Sequence, residues 1–183
     1  MKRSKEKITL SILLAAVLVV GIVGYMIYVQ HQFYTESTKN LLETYEQVDK
    51  TFTMFAQRNW NVLSDWGSNL QDDADGEAVR ASLCLFNQQK PTWKYSGLYL
   101  FNEDCTYLDA EGGHGSAQHI WGAFSEMYAT GHPCVGSYTM KNGERRVVFT
   151  VPIEPVKVDG ETYTCIAVSY DNETLEEMIG GHA

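Results

Sequence analysis

The sequence predicts an α+β protein in which a long N-terminal helix continues from a transmembrane helix and packs on a five-stranded antiparallel sheet. Three observations predict it. An uncharged apolar stretch opens the chain, a proline-free helical repeat follows, and the second half alternates β-rich runs with turn dipeptides. Strands and helices that stay in separate runs indicate α+β rather than alternating α/β.

The first element is Ile8–Val29, "ITLSILLAAVLVVGIVGYMIYV", which holds 22 residues without a charge. At ~1.5 Å per residue it spans the ~30 Å hydrocarbon layer. A cleaved signal peptide has an apolar core of about 7–15 residues and a small-x-small cleavage site. This run is longer and ends in Tyr25, Met26, Ile27 and Tyr28, so it reads as an uncleaved anchor. Residues 1–7 carry Lys2, Arg3, Lys5 and Lys7 against Glu6. The positive-inside rule keeps that flank cytoplasmic and places everything from about Gln30 outside the cell membrane.

Residues 30–71 read as one long helix. No proline occurs there, and the first glycine after the anchor is Gly67. Apolar residues recur at Leu41, Tyr45, Val48, Phe52, Phe55, Val62 and Trp66, with Asn59 at the skipped position. That is a repeat of about 3.5 residues. It is expected to form a homodimer seam near the membrane, with Asn59 fixing register, and to pack on its own domain beyond about Phe52.

Residues 72–183 read as the sheet domain. "QDDADGEAVR" breaks the helical pattern, and a second helix over 77–88 is closed by Pro91. "YSGLYLFNEDCTYLDAEG" gives strands at 97–101 and 105–110 around the turn Asn102-Glu103-Asp104. "EGGHGSAQH" reads as a flexible loop. Ser116 is read as the N-cap of a helix through "QHIWGAFSEMYAT", which Gly131 ends from the C′ position. Three strands then follow, "CVGSYTM", "RRVVFTVPIEPV" and "TYTCIAVSY". Their turns carry Asn-Gly and Asp-Gly, the strongest short hairpin signals. Asp171 or Asn172 caps a last helix, "ETLEEMI".

Composition bounds the partners. The chain is 44% hydrophobic, which suits a folded core, and carries a formal charge of −9. Without the basic flank the remainder stands at −12, which repels phosphate backbones and excludes nucleic acid as a partner. Four cysteines, Cys84, Cys105, Cys134 and Cys165, match no zinc spacing. They are either free, partly buried thiols or include one structural bridge.

With the elements in order, the chain resembles the Cache family of PAS-like extracytoplasmic sensor domains. The resemblance rests on the anchor running into a long helix, on "YSGLYLFNEDCTYLDAEG", on the helix ending "MYATGHP", and on the strands closing at "AVSYDNETL". It covers essentially residues 30–180. It implies a PAS-like sheet and the ligand-sensing input region of a bacterial transmembrane receptor. The parent would be a sensor histidine kinase, with a diguanylate cyclase or a chemotaxis receptor as alternatives. A two-lobed member continues into a second lobe and a second membrane helix, so the chain is read as the first part of a longer receptor. The amino-acid-binding subgroup carries an Arg-x-Trp-Tyr signature. "PTWKYSG" supplies Trp93 and Tyr95 without the arginine, so amino-acid binding is not supported.

No Walker loop, zincin motif, nucleophile elbow, kinase motif or cyclase motif occurs in the chain, so no catalytic residue is assigned. Glu111, His114 and His119 can approach one another, but their spacing fits no standard metal site, and neither a metal nor a cofactor is expected. A small-molecule ligand is the remaining expectation. Tyr99, Trp121, Tyr138, Arg146 and Asp171 are the candidate ligand-binding residues, with Arg145 as the neighbour of Arg146. Arg146 offers a fork for a carboxylate. Each has a plain alternative: Trp121 and Tyr138 as core, Arg145 and Arg146 as solvated charges, Asp171 as a helix cap. An anchored binding module without signalling output is the competing function.

Overall fold

The structure, a computed structural model, describes residues 2–70 and 76–180. The acidic break at 71–75, and with it the expected boundary between residues 71 and 72, lies outside the described residues. The chain divides into two compact units, Met1–Asp49 and Lys50–Ala183, and helix α1 (Lys2–Ser68) contributes to both.

The first unit is helical. Near its N-terminal end α1 is long and apolar enough to cross a membrane. Side chains from Val17 onward are almost all exposed, including Val20, Tyr25, Phe33, Leu41, Tyr45 and Val48. Such a surface needs lipid or a partner to cover it.

The second unit is built on one antiparallel sheet. Its strands are β1 (Gly97–Phe101), β2 (Thr106–Asp109), β3 (His114–Ser116), β4 (Cys134–Thr139), β5 (Arg145–Val158) and β6 (Glu161–Asp171). Their spatial order is β3-β2-β1-β6-β5-β4. The sheet therefore has six strands, one more than the sequence pattern predicts. The additional strand is the tripeptide His-Gly-Ser inside the expected loop, where Thr106 pairs with Ser116 and Leu108 with His114. Nothing in that tripeptide has strand propensity; pairing with β2 imposes the conformation.

The turn chemistry follows the sequence. Asp159 (φ 53°) and Gly160 (φ 83°) both adopt the left-handed conformation that a tight β5–β6 hairpin requires. Gly143 (φ 86°) closes the β4–β5 turn, where Met140 N–H donates to the Glu144 carbonyl at 2.8 Å. Between β1 and β2, Thr106 N–H donates to Asn102 Oδ1 at 2.9 Å. Pro152 borders and Pro155 lies within a register shift of β5 against β6, a place where strand prolines are tolerated.

Alternation along the strands gives the sheet two apolar faces. On one, Leu98, Leu100, Phe149, Val151, Ile166, Val168 and Tyr170 pack against α1, α2 (Glu77–Asn87) and α5 (Asn172–Gly180). Phe52 is the first apolar residue of α1 packed against this core, as the repeat predicts. Trp66 stacks on Phe86 of α2 with centroids 5.0 Å apart. Asn59 does not sit in an exposed seam. It is buried within this unit, donating to the Phe55 carbonyl and accepting from the Tyr170 hydroxyl, so it cannot fix a dimer register.

The opposite face is covered by a 3-10 turn, Gln118–Ala123, and by α4 (Ser125–Thr130). The sequence predicts one continuous helix here, capped by Ser116. The helix breaks at Phe124 instead, and Ala117 occupies the N-cap position, while the Ser116 hydroxyl one residue earlier accepts from Gln118 N–H at 3.3 Å. Close approach explains the break: a Cβ on Gly136 of β4 would overlap the Ala123 carbonyl oxygen, so the turn lies directly on the strand. Gly131 (φ 66°) ends α4 as expected. Pro91 does not close α2 but enters the first turn of the short helix α3 (Lys90–Trp93), where its missing N–H is harmless.

Candidate functional site

The sheet face under Gln118–Thr130 collects most of the candidate residues, and the register shows why. Tyr138, Arg146 and Asp171 lie side by side across β4, β5 and β6. The next row holds Gly136, Val148, Ser169 and Gly97 across β4, β5, β6 and β1. The row after that runs Cys134, Thr150, Ala167 and Tyr99, with Asp109 opposite Tyr99 on β2. Larger polar side chains thus flank a floor of small residues. Odd and even positions on a strand face opposite ways, so the parity of the sequence numbers decides which of them meet.

Tyr99 lies back over Gly97, and a Cβ at Gly97 would overlap the Tyr99 hydroxyl. Glycine at position 97 is therefore what gives the phenol its place. Burial raises the pKa of Tyr138, opposed by the nearby Ser169 hydroxyl and by Arg146. The Tyr138 phenol therefore stays protonated and able to donate near neutral pH.

Arg146 does not point a free charge at the face. Its Nε donates to Glu144 Oε1 at 2.8 Å across the β4–β5 turn. Burial opposes the Arg146 charge, and the Glu144 carboxylate outweighs it. Arg145 pairs with Thr139 and is exposed. Asp171 is a helix cap: its Oδ1 accepts from Thr174 N–H at 2.7 Å, and its Oδ2 accepts from Ser96 Oγ at 3.1 Å. These bonds, the Thr174 N–H first, hold its carboxyl below the usual range. Trp121 lies in the covering turn and stacks on Tyr128 of α4, with centroids 5.1 Å apart and an interplanar angle of 21°.

Sequence reasoning passed over Ser169. It is fully buried at the centre of the floor, and its Oγ has no well-formed hydrogen bond. A buried hydroxyl without a partner costs about 1–3 kcal/mol. The signal available in advance was a lone hydroxyl at a face position of an otherwise apolar strand. A cavity of 160 Å³ adjoins this face at Tyr99, lined also by Ser96, Gly97 and Lys90.

Elsewhere, a groove of 360 Å³ runs between α2 and the end of β2. The polar groups best placed to serve it are already engaged. Arg80 pairs with Asp159, and Asp109 Oδ1 accepts from Glu111 N–H and Gly113 N–H at 2.9 and 2.7 Å. His114 joins that network rather than Glu111 and His119: its Nδ1 lies 3.3 Å from the Tyr163 hydroxyl and its Nε2 3.3 Å from Arg80. Among the described residues no group of three or more His, Cys, Asp or Glu side chains is placed to hold a metal ion. The four thiols are free. Cys134 and Cys165 lie on β4 and β6, two strands or ~9.6 Å apart, beyond the reach of a disulfide.

No family model and no curated protein matches the chain. Solved structures do. The sensory domain of the Campylobacter jejuni chemoreceptor Tlp3 with isoleucine bound superposes with a TM-score of 0.57 at 15% identity, over 80% of this chain and 64% of that one. The ligand-binding domain of the Pseudomonas aeruginosa amino-acid chemoreceptor PctC, in complex with GABA, gives 0.52 at 15% identity, over 73% and 62%. That of PctB with L-Arg gives 0.52 at 14% identity, over 74% and 53%. The chain spans less than two thirds of the length of these structures. What it shares with them is a fold: the α+β architecture of chemoreceptor sensory domains, in line with the PAS-like arrangement read from the order of its elements.

Proposed function

We propose that the chain is the extracytoplasmic ligand-sensing input region of a bacterial transmembrane signalling receptor. Residues 8–29 anchor it in the cell membrane, residues 30–71 carry the signal helix, and residues 72–183 form the sensor domain. The observation that carries this reading is the buried Ser169 hydroxyl, which lacks a well-formed bond between Tyr99 and Tyr138 on a covered sheet face. A better-placed partner at that point is what a bound small molecule would supply. The shared fold supports the reading, since the similar structures are ligand-binding domains of receptors. A sensor histidine kinase is the parent that the sequence resemblance favours. The likeness to chemoreceptor domains favours a chemotaxis receptor as the second reading.

The exposed apolar residues Leu41, Tyr45 and Val48 of α1 are the proposed homodimer seam. The test of ligand sensing is thermal unfolding of the full chain in lipid nanodiscs against a broad set of small acids, amines, sugars and nucleobases. A ligand at 100 times its Kd adds ~2.7 kcal/mol, which a melting curve resolves. A compound that stabilises the wild type, but stabilises Ser169→Ala and Tyr138→Phe less, supports the function. A set in which nothing raises the melting temperature contradicts it.

A further inference from the structure

Resting on that reading of the site, we propose that its ligand is an uncharged, hydrogen-bonding small molecule, of the nucleobase or polyol type, rather than an amino acid or another ion. The charged groups of the face are already engaged. The cation, Arg146, is held by Glu144, and the two side chains are only 19% and 36% exposed. A ligand carboxylate approaching that guanidinium meets the Glu144 carboxylate as well, and the like charge opposes it. The two carboxylates on the same face both fix backbone. Asp171 holds the first turn of α5 and Ser96, and Asp109 holds two N–H groups of the β2–β3 turn. A ligand ammonium would have to compete with those bonds. Lys90 stands with two carboxylates along the adjoining cavity, Glu111, which is exposed, and Asp109, which is held by backbone N–H groups.

What remains to bind is neutral. The phenol of Tyr99 lies over Gly97, the phenol of Tyr138 is on the far side of the floor, and Ser169 Oγ sits between them. Ser169 Oγ is buried without a well-formed hydrogen bond, near the Tyr138 hydroxyl. Hydroxyls both donate and accept, which matches the mixed edge of a nucleobase or the hydroxyls of a polyol. Tyr99, Tyr138 and Trp121 add ring faces around Ser169.

The experiment compares two matched sets on the full chain in nanodiscs: uracil, adenine and myo-inositol against alanine, GABA, succinate and putrescine. Expected is a neutral compound that raises the melting temperature, with an affinity that changes less than about twofold as salt is raised from low to physiological ionic strength. Ser169→Ala and Tyr138→Phe should each weaken it about 5- to 10-fold, the loss of one hydrogen bond. Arg146→Gln should leave it within about twofold of wild type. The inference is overturned by binding of a charged compound that weakens with salt and is lost in Arg146→Gln; sensing by this domain would then stand. If neither set binds, the inference falls and the broader screen decides the sensing function separately.

Discussion

The hydroxyl of Tyr170 donates a 2.8 Å hydrogen bond to Oδ1 of Asn59, deep between the sheet and α1. Tyr170 is fully buried and Asn59 is 3% exposed. Tyr170 also sits between Ser169 and Asp171, which face the other side of the sheet. A displacement of β6 by a ligand over Ser169 would therefore reach α1 through a residue that is hydrogen-bonded to it. Phe55 adds ring-edge contacts to Tyr170 and Phe149 at 5.3 and 5.5 Å.

Removing the Tyr170 hydroxyl leaves Asn59 with an unmet buried acceptor. Tyr170→Phe should cost about 1–3 kcal/mol. Asn59→Leu should cost a similar amount, and the double variant less than the sum, with a coupling of about 1 kcal/mol. Urea unfolding of the four proteins checks this. Strict additivity would mean that the bond does not link the two elements.

Asp171 makes a prediction about pH. Its folded carboxyl is more acidic than in the unfolded chain, chiefly through the Thr174 N–H, so it binds its proton less readily when folded. The stability it contributes is present above the unfolded value of about 3.9 and is lost as pH falls through the lower folded value. Asp171→Ala should lower stability by ~0.5–2 kcal/mol at neutral pH, the usual cost of a lost cap. The same substitution should cost less as the pH falls toward and through that lower value. Urea midpoints measured at pH 7 and near pH 3 separate the two cases. An equal loss at both would remove the carboxylate from the explanation.

Gly136 makes a steric prediction. With the Ala123 carbonyl where its Cβ would be, Gly136→Ala must push the covering turn off β4. Overpacking of this kind costs about 1–3 kcal/mol. Because the displaced turn covers the candidate site, ligand affinity should fall with the melting temperature. Gly143→Ala is a useful contrast, since nothing lies near its Cβ and only its positive φ is at stake. A Gly136→Ala protein as stable as wild type would show that the turn is free to move.

Local rules made much of this legible in advance. The Asn-Gly and Asp-Gly turns located the last three strands, and the repeat from Leu41 to Trp66 marked α1 and the packing beyond Phe52. Tyr99, Tyr138 and Arg146 meet on one face because strand parity, which the sequence displays, puts them there. Tertiary relationships were not legible. The strand at His114–Ser116 exists only through its pairing with β2. Asn59 looked like a register residue because a polar group at a seam position has two possible partners, a second chain or its own sheet. Asp171 stood between ligand contact and cap, and the hydrogen bond from Thr174 N–H makes it a cap. Ser169 stood out only once its missing partner was visible.

The most direct test of the account uses a native residue. Cys84 is exposed on α2, whereas Cys165 is buried. Intact cells expressing the full chain should be treated with a membrane-impermeant maleimide. The account predicts labelling of the chain without lysis, with a clear drop in Cys84→Ser. Labelling that appears only after the cells are opened would place the domain in the cytoplasm and contradict the account.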